Sequence, residues 1–379
     1  MTESKNHIYK WLLPLAFIYG WGVRLRNKLF DWGWLRSRSF GIPVLCIGNL
    51  AVGGTGKTPH TEYLIRLLHD NGLNIATLSR GYKRKSKGYR LADTQSTAAD
   101  IGDEPRQIKS KYPFARVAVD EDRCHGIEQL LALDHPTVDV ILLDDAFQHR
   151  YVKAGLQILL TDYHRLLCDD VVLPAGRLRE PISGKNRAQI VIVTKCPDDL
   201  KPIEYNIISK KLHLYPYQRL FFSHFRYGEL RQLFPLASEA KRDNLLPLTK
   251  EHHVLLLTGI ASPDELIHRV TDCVGTNRTK VLSFGDHHSF TAQDIRLVEQ
   301  QFFALPDKKR VLITTEKDAA RLKECAELGN QLKPFIYVWP IEVEFLQNQQ
   351  ELFNQNIIDY VRTNPRNSHL SERKDAHPS

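Results

Sequence analysis

The chain has 379 residues, of which 42% are hydrophobic and 25% charged, which is typical of a folded protein with one large or two ordinary domains. Its formal net charge of +8 indicates an anionic partner, such as a nucleotide, a nucleic acid or an anionic membrane surface. The six cysteines are far apart and form no C-x-x-C pair, which argues against a zinc site and a small disulfide framework. A reducing, cytoplasmic compartment fits this cysteine usage.

Residues 1–40 combine an apolar run with basic residues. The run at residues 11–23 contains a proline and two glycines and is shorter than the ~20 residues that a spanning helix needs. Residues 24–38 mix arginine and lysine with tryptophan and leucine, a pattern suited to a lipid headgroup layer. We therefore predict an N-terminal amphipathic membrane-associated helix. The alternatives are a helix packed on the protein's own core and a cleaved signal peptide, for which an A-x-A-like site is lacking.

A phosphate-binding loop is predicted in residues 48–59 (GNLAVGGTGKTP), because a short apolar strand precedes them and an amphipathic helix pattern follows. Ala51 takes the place of the first glycine of the usual pattern, so the loop matches the compact G-G-x-G-K-T variant. Such a loop surrounds a polyphosphate with backbone N–H groups, its lysine reaches the terminal phosphates, and its threonine ligates Mg²⁺. The alternative is a glycine-rich turn with a surface lysine. The predicted ATP-binding residues are Ala51, Val52, Gly53, Gly54, Thr55, Gly56, Lys57 and Thr58.

A basic segment follows the second predicted strand, at residues 80–90, without an acidic residue. This segment is either a solvated loop or, because the carboxyl ends of parallel strands bind ligands, a contact to phosphate or anionic lipid. The sequence contains no signature of an RNA-binding or DNA-binding module, so no nucleic-acid partner is predicted.

Acidic residues occur at two places in the first half. Residues 102–105 (GDEP) open a helix, where carboxylates commonly act as caps. Asp144 and Asp145 end an apolar strand, and an acid at this position completes the Mg²⁺ shell of a phosphate loop. The predicted metal residues are therefore Thr58, Asp144 and Asp145. At Pro197 a proline replaces the acid that reads guanine in N-K-x-D signatures, which favours adenine.

The second half repeats the alternation of strands and helices after an aperiodic stretch at residues 234–251. The predicted fold is α/β, with a P-loop NTPase-type parallel sheet core and a second, smaller α/β domain. We predict the membrane-associated segment at residues 1–40, the core domain at 41–235, the second domain at 236–361 and a disordered tail at 362–379. The Asp-His-His cluster at residues 286–288 fits no common zinc spacing.

Seven motifs occur in a characteristic order: GNLAVGGTGKTP, SRGY, GDEP, LLDDAFQH, LPAGRLREP, FGDHHSF and TTEKDAAR. Over residues 10–345 the chain resembles the tetraacyldisaccharide 4'-kinases of bacterial lipid A synthesis. The resemblance implies transfer of the γ-phosphate of ATP, with Mg²⁺, to the 4'-hydroxyl of a tetraacylated glucosamine disaccharide 1-phosphate, giving lipid IVA. It also implies action at the cytoplasmic face of the inner membrane, as a peripheral or monotopic protein, and two α/β domains whose two-stranded hinge closes them over nucleotide.

The resemblance also assigns roles to individual residues. Asp103 takes the proton of the acceptor hydroxyl, assisted by His287, the residue directly after the motif aspartate, rather than by His288. The positions that resemble the family's acceptor-binding residues are Gln148, His149, Arg179 and Glu180.

Two departures from the family motifs carry expectations. Ala146 stands where relatives often have glycine in DDGFQH, which is expected to restrict the backbone next to the metal aspartates. Arg177 interrupts what is often P-A-G-P-L-R-E and is expected to alter acceptor contacts.

Two rival functions remain at this point: a membrane-attached P-loop ATPase switch, and another small-molecule kinase of similar fold. The SRGY, LREP and DHH motifs disfavour the switch, because a switch does not need a cleft for an acceptor sugar.

Overall fold

The computed structural model describes residues 8–134, 136–235, 245–260, 263–286, 288 and 290–364. The helices are α1 (Leu13–Asp31), α2 (Lys57–Asp70), α3 (Ala98–Ile101), α4 (Asp103–Lys111), α5 (Arg123–Leu131), α6 (Pro202–Leu212), α7 (Asp264–Val274), α8 (Ala292–Phe303), α9 (Glu316–Glu324) and α10 (Gln350–Arg362). The strands are β1 (Val44–Asn49), β2 (Ile75–Ser79), β3 (Arg90–Leu91), β4 (Arg116–Val119), β5 (Val140–Asp144), β6 (Leu156–Asp162), β7 (Ile190–Thr194), β8 (Arg219–Tyr227), β9 (Leu230–Gln232), β10 (Leu245–Leu246), β11 (His253–Thr258), β12 (Thr279–Ser283), β13 (Arg310–Thr314), β14 (Ile336–Val338) and β15 (Ile341–Phe345).

The chain divides into two compact α/β units. The first unit comprises Met1–Phe225 and Val343–Ser379, and the second comprises Arg226–Glu342. Their sheets are rich in parallel pairs, which confirms the mixed α/β class. The chain passes from one unit to the other within β8 and returns within β15.

The nine-stranded sheet has the order β15-β8-β7-β6-β1-β5-β2-β4-β3. β1 lies in its middle and pairs in parallel with β5 and β6. Every residue of β1 and β5 is buried, as expected for continuous apolar strands covered on both faces. Parallel pairing with Ile47 opposite Asp144 brings the ends of β1 and β5 to the same sheet edge, where the predicted phosphate loop begins.

The second unit has a six-stranded sheet with the order β10-β9-β14-β13-β11-β12. The alternation of strands and helices predicted for the second half is observed in β11, β12 and β13, which pair in parallel. Helix α8 begins with a capping box in which Thr291 and Asp294 bond to each other's backbone N–H groups. Of the aperiodic stretch at residues 234–251, residues 236–244 lie outside the described part of the chain.

The second unit comprises Arg226–Glu342, whereas the predicted domains were 41–235 and 236–361. Residues 226–235 therefore belong to the second unit and residues 343–361 to the first. Residues 343–361 join the first unit through aromatic packing and hydrogen bonds. The Phe345 and Phe353 rings stack with centroids 4.3 Å apart, and the Tyr63 hydroxyl donates to Asn354 at 2.6 Å. The Tyr360 hydroxyl donates to the Val44 carbonyl at 3.2 Å, so α10 completes the core around β1. The predicted disordered tail, residues 362–379, begins too early, because Arg362 is the last residue of α10. From residue 365 onward it lies outside the described residues.

Helix α1 belongs to the first unit and buries only Ala16, Gly20 and Phe30. It is tied to the rest of the unit by the Asn27 side-chain amide, which donates to Glu180 at 3.1 Å. Within the residues that the structure describes, every helix is too short or too polar to span a membrane.

Candidate active site

The glycine-rich loop, residues 50–56, joins β1 to α2 at the middle of the nine-stranded sheet. Gly53 and Gly56 have φ angles of +117° and +82°, a region that glycine enters without strain. Buried polar groups hold the loop from beneath. The Asn49 amide donates to the Thr55 hydroxyl at 2.7 Å, and the Thr194 hydroxyl donates to the Thr55 carbonyl at 2.9 Å. The loop is therefore anchored to the ends of β1 and β7.

The segment containing the LREP motif runs along this loop. The Val52 N–H donates to the Arg177 carbonyl at 2.8 Å, and the Arg179 N–H donates to the Leu50 carbonyl at 2.7 Å. An Arg177 guanidinium nitrogen lies 4.0 Å from where a Cβ on Gly53 would stand. Arg177, which was expected to affect acceptor contacts, thus adds a positive charge beside the glycine-rich loop.

The two predicted metal aspartates follow one another at the end of β5. Asp144 is 3% exposed and accepts a hydrogen bond from the Thr61 hydroxyl at 3.2 Å. Asp145 is half-buried and has a φ of +48°. In the DDAFQH motif the residue with a positive φ is Asp145, and Ala146 has none. An alanine at position 146 therefore adopts its conformation without strain, and the expected restriction of the backbone is absent.

Cations surround Asp145. Arg179 bonds both of its carboxylate oxygens, at 2.8 and 3.2 Å, and the Lys57 ammonium lies 3.9 Å from Oδ1. Burial alone would raise the pKa of Asp145, but Lys57 and Arg179 hold that pKa below its usual value. Burial and the charges of Glu104 and Asp145 raise the pKa of Asp144. The environments of the two aspartates therefore push their pKa values apart.

The four predicted acceptor-binding residues lie in different surroundings. Arg179 faces Asp145, while the Gln148 amide donates to the Asn49 carbonyl at 2.7 Å. Glu180 is 2% exposed and accepts hydrogen bonds from Arg187 at 2.7 Å and from Asn27 of α1 at 3.1 Å. Its carboxylate therefore links α1 to the segment that contains Arg187. Two buried nitrogens of this set, Nε2 of His149 and Nε of Arg179, have no hydrogen-bond partner within the described chain. Burial, with a contribution from the charge of Arg123, lowers the pKa of His149 to about 4, so the ring is neutral near pH 7.

The predicted proton acceptor, Asp103, is the first residue of α4. A Cβ on the preceding Gly102 would stand 2.9 Å from the Tyr82 carbonyl, so the GDEP and SRGY motifs are in close contact. His287 lies outside the described residues. His288 lies in the second unit, where its Nε2 is 2.9 Å from an Asp294 carboxylate oxygen.

Comparison with known proteins identifies the family of this chain. The family model described as tetraacyldisaccharide-1-P 4'-kinase matches residues 8–361. The chain belongs to the tetraacyldisaccharide 4'-kinase family. The resemblance predicted from the seven motifs is thereby confirmed.

Among relatives, a tetraacyldisaccharide 4'-kinase of Bacteroides fragilis is 62% identical over 379 residues and covers all of both chains. A tetraacyldisaccharide 4'-kinase of Bacteroides thetaiotaomicron is 60% identical, again over all of both chains. The fold resembles that of LpxK from Aquifex aeolicus, solved as an "apo" form in complex with ATP. That match has a TM-score of 0.67 and 27% identity, and it covers 92% of this chain and 98% of the Aquifex chain.

Two charged residues of this tetraacyldisaccharide 4'-kinase family member were not predicted as site residues. Glu104 lies close enough to Asp144 to raise its pKa, and Arg123 lies close enough to Asp145 to lower its pKa. Arg123 is 4% exposed and donates to the Asp120 and Glu121 carbonyls, while its Nε has no partner within the described residues. The sequence indications of their proximity to the aspartates are the place of Glu104 in the GDEP motif at the start of α4 and the place of Arg123 just after β4, near the carboxyl edge of the sheet.

Proposed function

We propose that this chain is the phosphotransferase that moves the γ-phosphate of ATP to the 4'-hydroxyl of a tetraacylated glucosamine disaccharide 1-phosphate, giving lipid IVA. The observation that carries the proposal is the meeting of Lys57, Arg179 and Asp145 at the glycine-rich loop, in a chain of this family. Phosphoryl transfer depends on alignment and charge neutralisation more than on covalent catalysis, and this site concentrates positive charge beside a helix N-terminus.

The glycine-rich loop acts as a P-loop that binds the phosphates of ATP. Its N–H groups, Lys57 and the guanidinium of Arg177 supply hydrogen bonds and positive charge. The Aquifex LpxK structure was solved with ATP, which supports the same nucleotide here.

Mg²⁺ would be held by Thr58, Asp144 and Asp145, since hydroxyl and carboxylate oxygens are the ligands that this cation prefers. The raised pKa of buried Asp144 fits a divalent cation, because a nearby positive charge would stabilise its ionised form. When bound, the ion supplies neutralisation of the phosphate charge.

The acceptor sugar lies on the side of Asp103, which takes the proton of the 4'-hydroxyl, with His287 as its partner. The engagement of His288 with Asp294 favours His287 for this role. Gln148, His149, Arg179 and Glu180 form the acceptor-binding region. The unpartnered Nε2 of His149 and Nε of Arg179 have unused hydrogen-bonding capacity there.

Helix α1 binds peripherally to the cytoplasmic face of the inner membrane, where the acyl chains anchor the acceptor. Trp11, just before it, is 76% exposed, and Phe17 and Trp21 on the helix are 67% and 60% exposed. The buried residues of α1 include the small Ala16 and Gly20, so its large apolar side chains are available to lipid. This distribution favours membrane attachment over the alternative of a helix packed on the protein's own core.

One assay tests the function directly. The purified protein is incubated with γ-labelled ATP, Mg²⁺ and the disaccharide 1-phosphate, and the lipids are separated by chromatography. We expect label in the lipid product and none when the acceptor lacks its 4'-hydroxyl. ATP hydrolysis without labelled lipid would favour the ATPase switch, and labelling of a different small molecule would favour another kinase.

A further inference from the structure

A buried histidine lies directly behind the glycine-rich loop. His60, in the first turn of α2, is 2% exposed. Its Nδ1 lies 2.8 Å from the Gly56 carbonyl oxygen, and its Nε2 lies 2.9 Å from the Ser223 hydroxyl. A carbonyl oxygen only accepts, so Nδ1 carries the hydrogen, and in the neutral ring Nε2 accepts from Ser223. Burial lowers the pKa of His60 to about 4, which keeps this neutral form near pH 7.

The Gly56 carbonyl accepts from two donors of one residue, the ring Nδ1–H of His60 at 2.8 Å and the backbone N–H of His60 at 3.3 Å. The shorter bond, from the ring, reinforces the direction that the helix gives to the next amide. The Gly56 carbonyl and the Lys57 N–H belong to one planar trans peptide and point in opposite directions. A carbonyl held toward His60 therefore directs the Lys57 N–H away from the ring. This N–H is among those at the start of α2 that have no partner within the helix, and such groups bind phosphate at helix N-termini.

Strand β8 contacts both His60, through Ser223, and Gly56, through Phe225. Ser223 and Phe225 are two residues apart on β8 and so share a face of the strand. A Cβ on Gly56 would stand only 2.7 Å from the Phe225 ring, which leaves room for glycine alone at the positive φ that turns the loop into the helix. The His60 ring also packs near Phe225 and Phe345, with centroids 6.2 and 6.5 Å away.

We infer that His60 is a positioning residue for ATP: its ring, held by Ser223, orients the Gly56–Lys57 peptide so that the Lys57 N–H faces the phosphates. His60 acts through this peptide and does not itself touch the nucleotide. The inference rests on the proposed function, because it assigns the ligand of the loop as ATP.

Two substitutions at His60 separate orientation from packing. His60→Asn keeps an N–H donor near the Nδ1 position but leaves a gap, whereas His60→Phe keeps an aromatic ring but has no donor. We expect His60→Phe to raise the Kd for Mg·ATP about tenfold and His60→Asn to stay within about threefold of wild type. The Tm values should show the opposite order, with His60→Asn the less stable protein because of its cavity. A purely structural role predicts that ATP affinity follows Tm, so tighter ATP binding by the Phe variant than by the Asn variant overturns the inference.

A milder variant serves as a second test. Ser223→Ala removes the donor to Nε2 and should weaken ATP binding about threefold. Added to His60→Phe it should cause no further loss, because Ser223 acts through the ring. Independent, multiplying losses would contradict this pathway.

Isothermal titration calorimetry with Mg·ATP and no acceptor tests ATP binding by the protein separately from the role of His60 in that binding. Wild-type protein that binds no ATP overturns the proposed function. Wild-type binding that both His60 variants retain unchanged overturns only the role of His60. In turnover assays the KM for ATP should rise in His60→Phe while kcat and the KM for the acceptor change less than about twofold, since the phosphate contact is made in ground and transition states alike.

Discussion

The two units place an aspartate near the carboxyl edge of a parallel sheet in different ways. In the second unit Asp318 is fully buried and accepts from the Gly259 N–H and the Thr315 hydroxyl, both at 2.8 Å, and from Arg321 at 2.9 Å. In the first unit Asp145 is half-buried and faces Lys57 and Arg179 beside a loop of backbone N–H groups. Asp318 thus stabilises the structure of the second unit, whereas Asp145 is part of a charged, accessible site in the first. A buried aspartate such as Asp318, whose oxygens accept several hydrogen bonds, has a structural role. A partly exposed aspartate among cations, such as Asp145, is typical of a functional site.

The largest expected effect comes from the cation of the accessible site. Lys57→Ala should reduce phosphoryl transfer by at least about a thousandfold, because the transferring phosphate loses a neutralising charge, while Tm changes little. Arg321→Ala in the second unit is the matched control, with a lower Tm and ATP binding close to wild type. Turnover and thermal unfolding of both variants measure the contrast. Near wild-type turnover of Lys57→Ala would remove the phosphate-loop hypothesis.

Asp103, the proposed base, acts on the sugar hydroxyl and not on the nucleotide. Asp103→Ala should lower kcat by about a hundredfold or more while the Kd for ATP stays near wild type. His287→Ala should act in the same direction and less strongly. Steady-state kinetics of the double variant tests the pair: coupled residues give a loss smaller than the product of the single losses. A simple product would show that the two residues act independently.

Removing one charge from each aspartate compares the two roles directly. Asp318→Asn leaves Arg321 with a weakened partner in a buried site and should lower the free energy of unfolding by about 3 kcal/mol. Asp145→Asn should leave the unfolding free energy within about 1 kcal/mol of wild type, because the site is partly exposed. It should instead weaken Mg²⁺ binding, so that a higher Mg²⁺ concentration is needed for half-maximal turnover. Urea unfolding and magnesium titrations measure the two effects. The reverse pattern would mean that Asp145 is the structural residue.

The smallest effect is expected at the membrane. Each cation near an anionic leaflet contributes on the order of 1 kcal/mol, so replacing Arg24, Arg26 and Lys28 by Gln should weaken binding to anionic vesicles. The loss should be clearest at low salt, where charges are less screened, and ATP affinity should not change. Vesicle sedimentation across a salt series measures it. Equal binding of the variant and wild type at every salt would show that these charges do not hold the protein at the membrane.

The sequence by itself was sufficient for features that depend on neighbouring residues. Apolar runs ending in polar residues predicted β1 and β5, because a strand buried on both faces needs a continuous apolar segment. The glycine-rich loop and the aspartate pair were recognisable for the same reason, since their chemistry requires particular residues at fixed spacing. The order of the seven motifs then predicted the kinase family.

The tertiary structure alone decided which distant residues meet. His60 and Ser223 are 163 positions apart, and only the position of β8 in the sheet brings the hydroxyl to the ring. The place of α10 in the first unit likewise depends on its contact with Tyr63, 291 positions earlier. Arg123 and Glu104 act on the aspartates through space, and no local pattern encodes such a distance. Local sequence determines chemistry and secondary structure, whereas the pairing order of the strands determines which charges share one edge, because that order arises from long-range packing.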